Sequence, residues 1–188
     1  LIDEKNKETF KDKIKTINKQ IKLIEKLVNE FSNFARMPSP VMKKINIYQV
    51  VKRAVDFIKM SSENSIELTS SKQNLTIDGD EEQLYRVFIN LIKNSEESFL
   101  EKRDKKPDFK GKIDIEIVDN NDYIVIKLED NGTGISDTKK VMTPYFTTKK
   151  KGSGLGLPIV SKIINEHTGD FVITNNNKEG IVIKISLP

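Results

Sequence analysis

From Phe10 onward the chain repeats apolar residues in alternating steps of four and three, and the repeat ends at a proline-rich break. Phe10, Ile14, Ile17, Ile21, Ile24, Val28, Phe31 and Ala35 form this seam. Only a helix brings residues so spaced onto one side, and a sustained heptad seam asks for partner helices. Leu23, Leu27 and Phe34 widen the apolar face beyond that of a two-stranded coiled coil, while Lys11, Lys15, Lys19, Lys22 and Lys26 take outward positions. A stripe this broad predicts a helical bundle. The other outlet for it is packing against the chain's own globular part. Met37-Pro38-Ser39-Pro40 stops the helix, because two prolines in three residues remove amide donors and force extended backbone before each ring. Here the first domain boundary is expected.

Beyond the prolines the period changes to a mixture of two and 3.6. Ile45–Ile47, Ile66–Thr69 and Leu75–Ile77 read as short strands. Tyr48–Met60 reads as an amphipathic helix through Val51, Ala54, Val55 and Ile58, and Glu81–Leu100 as a second through Leu84, Val87, Phe88, Leu91 and Ile92. Glu101–Lys110 is charged and contains proline, so a loop is predicted there. Ile113–Val118 and Tyr123–Leu128 alternate around Asn120-Asn121-Asp122, a hairpin signal. Leu155–His167 reads as a third helix with Gly169 placed to end it, followed by a closing hairpin of Phe171–Thr174 and Ile181–Ile185.

Composition narrows the chemistry. In 188 residues there is no cysteine and one histidine, which excludes disulfide scaffolds, thiolate zinc sites, cysteine nucleophiles and multi-histidine metal clusters. No apolar run approaches the ~18 residues of a membrane span. The net charge of +4 is concentrated in residues 1–36, whose nine basic and six acidic residues supply +3 of it. No aromatic residues interleave with these lysines, so a solvated helix exterior is expected rather than a nucleic-acid surface. The chain opens on Leu1, which suggests a piece of a longer protein.

Four blocks carry chemical potential. In Asn90-Leu91-Ile92-Lys93-Asn94-Ser95, the two asparagines are spaced i, i+4, so both amides leave one helical face, where they could join the shell of a hard cation or serve as a plain polar exterior. Asp130-Asn131-Gly132-Thr133-Gly134-Ile135 follows a strand; a carboxylate there can accept from an exocyclic amine, and its glycines let a flat ring approach the backbone. Read alone, it is also an ordinary Asp-Asn-Gly turn. Thr143-Pro144-Tyr145-Phe146-Thr147-Thr148-Lys149 sets aromatics in a polar loop beside the cations Lys149 to Lys151. Gly152-Ser153-Gly154-Leu155-Gly156-Leu157-Pro158 leads into a helix, where free amides and the helix dipole favour an anion. It is not a Walker A loop, since no Gly-Lys-Ser/Thr follows at the required spacing.

Taken in order, these blocks resemble the N, G1, F and G2 boxes of the Bergerat, histidine-kinase-type ATP-binding fold over residues 45–188. Phe31-Ser32-Asn33-Phe34-Ala35-Arg36-Met37-Pro38 is similar to the second helix of the dimerisation and phosphotransfer hairpin of sensor histidine kinases, nearest to the NtrY type of nitrogen regulation. The resemblance implies an α+β class: a mixed, mostly antiparallel sheet covered by about three helices, preceded by a long coiled-coil-like helix. It divides the chain into 1–37 (an incomplete hairpin), 38–44 (a linker) and 45–188 (the catalytic domain).

It also implies roles. ATP and Mg²⁺ are the expected cofactors, with Asn94 helping to hold the metal and Asn90 near the terminal phosphates. Asp130 would bind the adenine amine, with Gly132 and Gly134 shaping that pocket. Met142 to Ser153 would be a lid in which Phe146 is an anchor, Thr148 lies at the nucleotide and Lys149 neutralises phosphate charge. The amides of Gly152, Gly154, Leu155 and Gly156 would line the triphosphate. Phosphoryl transfer rests on positioning and charge neutralisation, which such parts supply. Hydrolytic relatives carry a glutamate where Asn90 stands, and an amide is no general base, so transfer to a protein nucleophile is favoured over hydrolysis.

That nucleophile is expected outside the sequence. The family places it in a motif resembling His-Glu-x-x-Asn-Pro, which is absent, and the sole histidine, His167, sits where a helix ends and is read as a structural cap. The full protein is expected to autophosphorylate, pair as a homodimer through hairpin helices, pass phosphate to a response regulator and work on the cytoplasmic side of a bacterial inner membrane. Two other readings stay open: a serine kinase of the anti-sigma type, and a non-catalytic dimerising module that senses nucleotide.

Overall fold

The computed structural model describes residues 4–138, 140–147, 154–177 and 179–188; in its first helix the side chains of residues 4–8, 23, 26, 27, 30, 31 and 33–35 lie outside the description. The chain divides into two compact units, Leu1–Pro38 and Ser39–Pro188.

In the first unit, α1 runs from Glu4 to Ala35. The heptad residues Phe10, Ile14, Ile17, Ile21, Ile24 and Val28 are between 43% and 64% exposed, so this apolar stripe faces solvent. No helix among the described residues is long and apolar enough to cross a membrane.

The second unit is built from β1 (Lys43–Asn46), α2 (Ile47–Lys59), β2 (Ser65–Ser70), β3 (Thr76–Gly79), α3 (Glu81–Arg103), β4 (Lys112–Asp119), β5 (Ile124–Asp130), a 3-10 turn (Lys140–Met142), α4 (Gly156–Glu166), β6 (Asp170–Asn175) and β7 (Ile181–Leu187). Five strands form one sheet in the order β2-β4-β5-β7-β6, while β1 and β3 make a separate antiparallel ribbon. The β2–β4 pair is parallel and the other pairs are antiparallel. This is the mixed, mostly antiparallel sheet with three helices that the sequence leads one to expect.

Alternation along the strands determines the register. Leu68, Ile115, Leu128, Ile183 and Ile173 are successive partners across all five strands, so one slip would turn a whole row of core residues outward. Against this row α2 buries Val51, Ala54 and Val55, α3 buries Leu84, Val87, Phe88, Leu91 and Phe99, and α4 buries Ile159, Val160, Ile163 and Ile164.

Helix starts follow local chemistry. The Asn46 side chain accepts from the Tyr48 amide, so helix begins at Ile47, which the sequence reading places at a strand end. Asp80 caps α3 by accepting from the amides of Glu82 and Gln83. Glu81 and Glu82 in the first turn and Lys102 and Arg103 in the last complement the dipole.

Two expectations are corrected. The stretch Glu101–Lys110 is not loop throughout, because α3 continues to Arg103 and buries Lys102. Helix α4 ends through Thr168, which takes the left-handed φ of 55°, while Gly169 donates back to the Ile164 carbonyl at 2.9 Å. Gly169 serves there by its missing side chain: a Cβ would lie 2.6 Å from the Ser186 carbonyl oxygen.

Candidate functional site

Helix α3, the end of β5, the loop after it and the start of α4 bring the polar blocks together. Asp130 closes β5 and is 3% exposed. Its Oδ1 accepts from the amides of Gly132 at 2.9 Å and Ile181 at 3.2 Å, and its Oδ2 accepts from Ser95 Oγ at 2.6 Å. A buried carboxylate is tolerable only with such donors, and three of them fix its plane. With two donors on Oδ1 and one on Oδ2, it is Oδ2 that keeps a lone pair for a bound amine.

The loop that follows is held from two sides. Asn175 at the end of β6 accepts from the Ile135 amide at 2.8 Å and donates to the Ile135 carbonyl at 2.7 Å. The Asn131 side chain accepts from the Lys112 amide at 2.8 Å and donates to the Lys110 carbonyl at 3.1 Å. Between these anchors, Gly132 packs so closely on α3 that a Cβ would lie 1.9 Å from Ser98 Oγ. A side chain there would displace the Ser98 hydroxyl. Gly134 takes a φ of 73°.

Asn90 and Asn94 leave α3 one turn apart. The amide nitrogen of Asn90 is buried without a hydrogen-bond partner among the described residues. A buried donor left unmade costs about 1–3 kcal/mol, which a ligand acceptor would recover. Asn94 lies against the start of α4: a Cβ on Gly156 would sit 3.6 Å from its Nδ2 and 3.8 Å from its Oδ1. The N-cap of α4 is Leu155, which makes no side-chain cap, and the first turn holds no acid. A helix start of this kind, lying beside Asn94, favours a negatively charged group.

Ahead of that helix, the Tyr145 amide donates to the Gly154 carbonyl at 3.2 Å. Gly154 has a φ of 70°, and a Cβ there would be 2.6 Å from the Phe146 carbonyl oxygen. Phe146 is half-buried, and Tyr145 takes a left-handed φ of 67°. Thr148, Lys149 and Gly152 lie outside the described residues.

The structure thus joins Asp130 to Gly132, Asn94 to Gly156 and Phe146 to Gly154. Sequence reasoning missed Ser95, Lys102, Asn175 and Glu179. A signal existed for one of them: Ser95 interrupts the apolar stripe Leu84, Phe88, Leu91 and Phe99, and a polar residue on a core-facing stripe must have a partner.

The family model for the histidine kinase-, DNA gyrase B- and HSP90-like ATPases matches residues 79–188. The chain belongs to this ATPase family. All four blocks lie within the matched part. An NtrY-like sensor histidine kinase of Rickettsia felis is 35% identical over 184 residues, which is 96% of this chain and 30% of that protein. The nitrogen regulation protein NtrY of Azorhizobium caulinodans is 31% identical over 179 residues, covering 93% of this chain and 23% of its own. The chain therefore spans less than a third of the length of these relatives. The catalytic domain of the histidine kinase ThkA, in a nucleotide-free form, superposes with a TM-score of 0.68 at 25% identity over 78% of this chain and 97% of that one.

As an ATPase-family domain, the molecule carries groups of the right kind for a nucleotide. The buried Asp130 carboxylate suits an amine donor, and the Asn90 amide nitrogen, without a hydrogen-bond partner among the described residues, and an α4 first turn holding no acid suit an anion. One helix carries both groups: Ser95 holds the Asp130 carboxylate and the adjacent Asn94 lies against the start of α4.

Proposed function

We propose that this chain is the ATP-binding catalytic portion of a sensor histidine kinase of the nitrogen-regulation type. The observation that carries the reading is the buried Asp130 carboxylate fixed by Ser95 of α3, with the start of α4 lying against the neighbouring Asn94. Asp130 accepts from the adenine amine, with Gly132 and Gly134 forming the pocket wall. Asn90 donates toward the terminal phosphates. The amides of Gly152, Gly154, Leu155 and Gly156 line the triphosphate, and Phe146 anchors a lid that includes Thr148 and Lys149. Bound Mg²⁺ would supply charge neutralisation of the phosphates, with Asn94 as its protein ligand.

Asn90 supports transfer over hydrolysis, since its amide takes no proton from water. His167 supports an acceptor elsewhere. It is 1% exposed, its Nε2 accepts from the Asp80 amide at 2.9 Å, and its Nδ1 donates to the Ile163 carbonyl at 2.8 Å. With both nitrogens engaged, this ring holds α4 to the start of α3 and is no nucleophile. The phosphoryl group goes to a histidine on a hairpin helix and then to a response-regulator aspartate. In the whole protein residues 1–37 form the second hairpin helix of a homodimer, 38–44 link it to the catalytic domain, and membrane anchorage is supplied by other segments.

The test supplies Mg-ATP and the acceptor-helix hairpin of an NtrY-like kinase to this chain. An acid-labile, base-stable phosphate on the hairpin histidine is expected. Nucleotide bound without transfer points to a sensing module, and an acid-stable phosphate on serine points to the anti-sigma type; either overturns the reading.

A further inference from the structure

We infer that Lys102 is a positioning residue for recognition of the nucleotide base, acting through the Asn131–Gly132 peptide; this rests on the proposed nucleotide site. The Lys102 ammonium is buried at the end of α3. It donates to the Asn131 carbonyl at 2.5 Å, to the Gly132 carbonyl at 3.0 Å and to the Glu179 carboxylate, and it lies 4.5 Å from the centre of the Phe109 ring. Three protons meet three oxygens, so the charge is fully served; a buried ammonium lacking such partners would be strongly disfavoured.

The geometry of one peptide bond makes this contact matter at the site. The Asn131 carbonyl and the Gly132 amide belong to the same planar trans unit, so they point in opposite directions. Lys102 holds the carbonyl end at 2.5 Å, and the amide end is thereby aimed at Asp130 Oδ1, 2.9 Å away. Ser95, Ser98 and Lys102 lie along one stripe of α3, meeting in turn the Asp130 carboxylate, the Gly132 backbone and the Asn131–Gly132 carbonyls. Glu179, between β6 and β7, completes the clamp from the far side, with Lys106 at 3.8 Å as an outer cation. Lys102 touches no nucleotide in this arrangement. It sets the orientation of a carboxylate that does.

The consequence is specific to the base. Loss of the clamp frees the peptide to rotate, and Asp130 loses one of the donors that define its plane. Recognition of the adenine amine should suffer, while the phosphate end, built on Asn90, Asn94 and α4, should not. Inosine triphosphate is the discriminating probe: it carries a carbonyl acceptor where ATP carries the amine, and has the same phosphates.

Dissociation constants for Mg-ATP and Mg-ITP are measured by calorimetry on the wild-type chain, Lys102→Met and Glu179→Gln, with melting temperatures recorded alongside. Wild type is expected to prefer ATP by about tenfold or more, the scale of one hydrogen bond to a charged group. Lys102→Met should reduce that ratio at least severalfold through weaker ATP binding, with ITP binding little changed. Glu179→Gln, a change at a half-exposed side chain, should shift the ratio in the same direction by less. If Lys102→Met lowers the melting temperature but keeps the wild-type ratio, the inference is overturned. If Lys102→Met does not fold, an unchanged ratio in Glu179→Gln overturns it and a reduced ratio supports it. The underlying site reading fails differently, through a wild-type chain that binds neither nucleotide or that binds ATP no better than ITP.

Discussion

Asp130 is held in the core because three donors reach it, the Ser95 hydroxyl and the amides of Gly132 and Ile181. Gly132 brings its amide close while packing on Ser98, and Ser95 offers a hydroxyl from a helical position otherwise suited to an apolar side chain. Asp130→Asn replaces one acceptor oxygen with an NH₂ group that has to face either Ser95 or the amides of Gly132 and Ile181. It also removes the charge that an adenine amine would meet. The expected result is a loss of tenfold or more in ATP affinity, about 1.5–3 kcal/mol, read by calorimetry with melting measured in parallel. Unaltered affinity would exclude the carboxylate from base recognition. Ser95→Ala removes a single donor and should weaken ATP binding by a smaller factor in the same assay.

At the scale of elements, α3 joins most of the site. Its start is fixed by Asp80, whose carboxylate also accepts from the Val41 amide at 2.8 Å, and whose own amide donates to His167. Burial pushes the Asp80 carboxyl up, but the amides of Val41, Gln83 and Glu82 outweigh it and hold the group below its usual value of 3.8. A depressed carboxyl contributes stability that is present above its unfolded value and lost as pH falls through the folded one. Asp80→Ala should therefore cost about 1–2 kcal/mol near neutral pH. The difference from wild type should shrink as pH drops below about 4, and denaturant melts at pH 7 and pH 3 would show it. A penalty constant over that range would assign the effect to packing instead of the ionised cap.

The same helix shows what could be read in advance. Its face, and with it the span from Glu81, was legible because the period is local. The two hairpins, β4–β5 and β6–β7, were legible from alternation around Asn-containing turns, whereas the pairing of β1 with β3, β2 with β4 and β5 with β7 joins strands whose partners no local signal names. The C-terminal turn of α3 was not legible. Glu101-Lys102-Arg103 resembles solvated loop, and only contacts with Asn131, Gly132 and Glu179, far away in sequence, make Lys102 a buried residue. Asn175 escaped notice likewise: in sequence it is one of three turn asparagines, and its partner Ile135 stands forty positions earlier. Thr168 took the left-handed position in place of Gly169 because Gly169 is needed where the Ser186 carbonyl comes close.

At the scale of the whole molecule, two units carry two kinds of apolar surface. The unit from Ser39 to Pro188 encloses its apolar residues between one sheet and three helices, and every described residue proposed to meet nucleotide lies within it. In α1, the six described heptad side chains lie open to solvent. Burying each would contribute about 1.5–3 kcal/mol, to be set against the roughly 4–15 kcal/mol that association costs. The balance favours self-association of the helix without making it tight. The expected behaviour is concentration-dependent dimerisation of the full chain in sedimentation runs at tens of micromolar. Ile17→Glu with Ile21→Glu should abolish it, since two carboxylates on the stripe would have to be buried. The same double variant, and a chain of Ser39–Pro188 alone, should bind Mg-ATP within about twofold of the full chain, because neither change touches the Asp130 network or the Asn94–Gly156 contact. A strict monomer in the wild type would remove the case for α1 as a partner-seeking helix. A large drop in ATP affinity on removing α1 would mean that the nucleotide site needs more than the second unit supplies.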